Sequence, residues 1–177
     1  MKKTLIIIAL CLIFILIYFL QTHFFSWYNI AGIKPNLFII LILFIGLFLG
    51  KNYGFVLGVI FGLLLDSFIG KRIGIYAFGL GIVGIIGGIL DRSFSKESRI
   101  TFMMMTILTT FLYETINYIL QIIVLNAEPI LLNFTNIVLI EMLYNAIIVI
   151  ILYPLIRKIG NTIEEIFTQR KSLMKYY

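Results

Sequence analysis

Charge is scarce in this 177-residue sequence: 12% of its residues are Asp, Glu, Lys or Arg, whereas soluble domains carry about 25%. With 62% of residues hydrophobic, the chain cannot cover itself with polar surface, which excludes the ordinary water-soluble class. Cysteine is almost missing too. Cys11 is the single one and lies within the first apolar run, so neither an intrachain disulfide nor a cysteine-based metal site can form. The one histidine, His23, falls in the first loop as an interfacial residue, without the partners of a nucleophilic triad or a zinc site. An aspartyl dyad of Asp66 with Glu114 or Glu141 lacks any active-site context. No enzyme, cofactor or metal is expected, and the formal charge of +6 needs no nucleic-acid partner.

What is there is apolar sequence in helix-sized pieces. A helix needs roughly 20 apolar residues to cross a hydrocarbon core of ~30 Å, and six segments meet or approach that length, at about 4–20, 35–50, 54–70, 73–90, 100–125 and 136–156. Runs such as "TLIIIALCLIFILIYFL" are continuous, unlike the alternating strands of a membrane barrel. The expected fold is an all-α integral membrane protein, a six-helix transmembrane bundle over residues 1–156. No A-x-A-like cleavage site follows the first run, which therefore reads as a retained span. Residues 157–177 form a tail whose isoleucines and basic residues segregate as in an amphipathic helix lying on the inner leaflet.

Lysine and arginine accumulate in cytoplasmic loops. With the N-terminus inside, eleven basic residues fall on the inner side and three, Lys34, Lys71 and Arg72, on the outer. Both termini are expected in the cytoplasm.

Glycine is regularly placed. Gly46, Gly50, Gly54, Gly58 and Gly62 recur every fourth residue, Gly70 and Gly74 follow, and the fourth segment adds Gly79, Gly81, Gly84, Gly87 and Gly88. Positions four apart share a helical face, and glycine on that face lets another backbone come close. Gly50, Gly54, Gly58, Gly62 and Gly74 are the expected packing or partner face.

Six polar side chains interrupt the apolar segments. Asp66 stands in "FGLLLDSFIGKRIG"; Glu114, Asn117 and Gln121 are spaced i, i+3, i+7, and Glu141 and Asn145 i, i+4, so each set lines one helical face. At 1.5 Å per residue the three acids fall at similar depth in the outer half. Such groups avoid lipid, so they are expected to meet inside the bundle. They form either a ligand or ion site, or a set of cross-links that fix the bundle or seat a partner helix. Lys71 or Arg72 could serve Asp66 as counter-ion.

Residues 34–84, "KPNLFIILILFIGLFLGKNYGFVLGVIFGLLLDSFIGKRIGIYAFGLGIVG", resemble the rod shape-determining protein MreD family, with Pro35 before the second span, a glycine-spaced third span ending G-L-L-x-D, and a glycine before the fourth. The matching positions are Pro35, Gly50, Gly54, Gly58, Gly62, Asp66 and Gly74; Asn36 stands where an aspartate is more usual. The resemblance implies a non-enzymatic scaffold of the bacterial cell-elongation machinery in the cytoplasmic membrane. Its implied partners are the single-span protein MreC and, through it or directly, MreB, RodA and a class B penicillin-binding protein. The family also resembles in fold the substrate-binding S components of energy-coupling-factor transporters, which implies as alternative a subunit holding a vitamin in an outward cavity.

Overall fold

In the computed structural model, which describes residues 2–69, 73–93, 98–125 and 131–173, the chain folds into six helices. Helix α1 (Lys2–Phe19) passes into a π-helical turn, Leu20–Phe24, and a last α turn, Phe25–Trp27. The others are α2 (Leu37–Leu49), α3 (Lys51–Phe68), α4 (Ile75–Ser93), α5 (Arg99–Leu125) and α6 (Leu131–Leu173). The protein is an all-α membrane protein. Among the described residues four helices are long and apolar enough to cross a bilayer, over Thr4–Trp27, Lys51–Phe68, Arg99–Val124 and Leu131–Ile166, whereas the apolar stretches of α2 and α4, Leu37–Leu49 and Ile75–Asp91, are shorter.

The shortest helix is the centre. All 13 residues of α2 are buried, as expected of a helix that is apolar all round. At 1.5 Å per residue it spans ~20 Å, about 10 Å less than the hydrocarbon core. At least one of its ends therefore lies at membrane depth. There its free backbone N–H or C=O groups need partners from the protein, because lipid offers none.

Helices α3 and α4 pack antiparallel with almost no side chain between them. A Cβ on Gly54 would stand 2.5 Å from the carbonyl oxygen of Gly84, and one on Gly58 2.5 Å from that of Leu80; Gly62 abuts Ala77. Helix α2 joins the same contact, since a Cβ on Gly46 would also meet the Gly84 oxygen at 2.5 Å. Three backbones converge at Gly46, Gly54 and Gly84. The face expected for packing or for a partner is thus filled by the chain's own α4.

Two members of the expected face belong elsewhere. Gly50 and Gly74 have φ of +93° and +112°, and a Cβ on either would meet nothing within 4 Å. The four-residue spacing runs past the helix ends there, and each glycine serves a chain reversal whose backbone conformation disfavours a side chain.

Helix α1 is peripheral. Among its described side chains only Leu10 and Phe14 are buried, with the Phe14 ring stacked on Phe61 of α3 at a centroid distance of 4.5 Å. Helix α6, 43 residues and thus ~65 Å long, continues unbroken through Pro154 into the tail. There Gly160 packs on the Phe48 ring and Ile163 is buried, so this stretch belongs to the bundle's packing. Residues 174–177 lie outside the described part.

Candidate functional site

Asp66 is 2% exposed, and its carboxylate is spent on the backbone of the next helix. It accepts N–H bonds from Gly74 (2.9 Å), Tyr76 (3.0 Å) and Ala77 (3.1 Å). Since α4 begins at Ile75, these are the cap residue and the second and third helical positions, whose N–H groups have no partner within a helix. A carboxylate there satisfies three donors and lies at the positive end of the helix dipole. Asp66, two residues before the end of α3, lies against that end. Its suggested counter-ions, Lys71 and Arg72, lie outside the described residues.

Asn145 does the same for α2. Its side-chain oxygen accepts the N–H of Asn36 at 2.8 Å, and the Gln21 side chain accepts the N–H of Leu37 at 3.1 Å. Asn145 also donates to the Thr110 hydroxyl of α5 at 3.1 Å. The buried Pro35 just before this end has no N–H to satisfy. The two helices with the shorter apolar stretches, α2 and α4, therefore have their N-termini met by side chains from other helices.

Glu114 and Glu141 form the centre of the polar region. Their carboxyl groups lie within hydrogen-bonding reach of each other. The Asn36 side chain bonds Glu141, and Asn117 bonds the buried Tyr113. Tyr76 lies within electrostatic reach of Asp66, Glu114 and Glu141 together.

Gln121 does not join them. It shares a face with Glu114 by spacing, yet it is exposed, one turn before the end of α5; two turns beyond Glu114 that face no longer meets a neighbour. Gln21, Asn36, Thr110 and Tyr113 belong to the region and were missed. The only sequence signal for Gln21 was its place at the end of a long apolar run, where a π turn inserts one extra residue per turn and redirects the side chains.

Among the described residues, no group of three or more His, Cys, Asp or Glu is arranged to hold a metal ion. A lipid-facing groove of about 200 Å³ opens between α1, α2 and α6, lined wholly by apolar side chains such as Ile17, Leu41, Phe44 and Ile156.

A family model described as rod shape-determining protein MreD matches residues 2–163. No curated protein and no solved structure matches.

Proposed function

The chain belongs to the rod shape-determining protein MreD family, and from that premise we propose that this rod-shape-determining membrane protein acts as a non-enzymatic scaffold of the cell-elongation complex. It binds the single-span protein MreC and links MreB, through MreC or directly, to RodA and a class B penicillin-binding protein. The observation that carries this reading is the employment of the intramembrane polar groups. Asp66 and Asn145 complete helix ends, which is the work of a frame that must hold its shape. Because α4 already fills the glycine face, a partner's span docks on the lipid-facing side of the bundle.

Both termini face the cytoplasm in this proposal. In support, Lys51, Arg99, Arg157 and Lys158 gather at one end: the Lys51 backbone abuts Gly88, and the Arg99 guanidinium lies 5.7 Å from the centre of the Tyr153 ring. Positive charge of this kind marks the inner side. The deciding experiment is affinity purification from co-expressing cells followed by mass spectrometry. MreC recovered with the protein supports the scaffold; a monodisperse, folded protein that retains no MreC overturns it.

A further inference from the structure

The polar region has an imbalance that helix capping does not explain. Four buried side-chain atoms have no hydrogen-bond partner: Asn36 Oδ1, Asn117 Oδ1, Glu141 Oε1 and the Tyr118 hydroxyl. The two amide oxygens are pure acceptors, Glu141 Oε1 accepts when it carries no proton, and the Tyr118 hydroxyl can donate or accept. The amide donors of Asn36 and Asn117, by contrast, are used: the Asn36 backbone N–H on Asn145, its side-chain amide on Glu141, and the Asn117 side chain on Tyr113. Asn117 and Glu141 are 4% and 6% exposed, so water cannot satisfy them from the surface. Leaving such an acceptor unpaired inside the bundle destabilises the fold.

Three of the four belong to residues joined in one cluster, and the Tyr118 ring instead stacks on Phe134. Asn36 touches Glu141, Glu141 touches Glu114, and Glu114 and Asn117 follow one another on the same face of α5. Asn117 Oδ1 faces α4 at Gly79, where a Cβ would stand 3.0 Å from it and 2.9 Å from the Tyr113 ring. Gly79 is one turn from Tyr76, which lies within electrostatic reach of Glu114 and Glu141. Glu114 is only half-buried and opens the cluster to the surface.

We propose that the Glu114–Glu141 pair, with the carboxamide oxygens of Asn36 and Asn117, binds a monovalent metal cation, Na⁺ or K⁺. Carboxylate and amide oxygens suit hard cations, and affinity for divalent ions rises with the number of charged ligands. With one proton shared between them the two carboxyl groups would carry a single negative charge, which one monovalent ion would balance. The same ion engages several lone pairs at once, where a hydrogen-bond donor would serve one. An uncompensated charge among these apolar helices is expensive. This site is independent of the scaffold role, because its occupancy can be read on the isolated protein.

The test uses the purified full-length protein in detergent, in choline chloride, with NaCl or KCl replacing choline at constant ionic strength to hold screening fixed. Thermal unfolding and equilibrium dialysis against radioactive sodium are followed in parallel. The expected result is a saturable rise in unfolding temperature with Na⁺ or K⁺, and saturable uptake approaching about one ion per chain. Glu141→Gln raises the half-saturating concentration roughly tenfold or more, while Gln121→Ala, outside the cluster, leaves it unchanged. Identical unfolding in all three salts together with no saturable uptake overturns the proposal, as does undiminished uptake by folded Glu141→Gln. Should that variant fail to fold, the wild-type dialysis decides alone.

Discussion

Between α3 and α4 the backbones touch; between α5 and α6 the contact runs through side chains, aromatic rings at Phe102–Tyr153 and Tyr118–Phe134 and polar groups between them. At the first interface Gly54, Gly58 and Gly62 press on Gly84, Leu80 and Ala77, and attraction comes from many short dispersion contacts between smooth surfaces. At the second, Asn145 reaches Thr110 and Glu141 reaches Glu114, while the Thr106 and Thr109 hydroxyls bond their own helix. Lipid tails are as apolar as leucine, so neither pair can rely on exclusion of water. A backbone contact tolerates no added atom. A side-chain contact tolerates loss, because the unfolded helices in the membrane find other partners.

That contrast sets the order of mutational effects. Gly84→Leu should be the most severe: the added side chain must displace the Gly54 backbone, a loss above about 4 kcal/mol. It is read as the near absence of monodisperse protein after extraction. Near-normal yield would mean that α3 and α4 can separate without cost. Asp66→Ala strips three N–H groups of their acceptor and should destabilise by about 3 kcal/mol in denaturant unfolding. A smaller loss would place the start of α4 in water. Asn145→Ala removes one acceptor at α2 and one bond to α5, worth about 1–2 kcal/mol in the same assay. A loss as large as that of Gly84→Leu would erase the distinction between the two interfaces.

The polar stripes and the glycine spacing were legible because both are periodicities within one helix. Periodicity names a face without saying how far the neighbour extends along it. Gln121 sits on the expected face and is exposed, and Gly50 and Gly74 continue the four-residue count across turns where the helix has already ended. Asp66 was legible as a group that must be satisfied, but its partners are backbone N–H groups, which every residue type but proline carries. No side-chain pattern advertises them. Gln21 escaped for a related reason, since the π turn that aims it at Leu37 leaves no clear mark in residue type.

By itself the sequence determined the membrane class and the six helices, since apolar length and composition are properties of short stretches of chain. Only the tertiary structure decided which polar side chain completes which helix end. The Asn145 oxygen and the Asn36 N–H are 109 residues apart in sequence, and they meet because α2 is too short to carry its own N-terminus out of the bilayer.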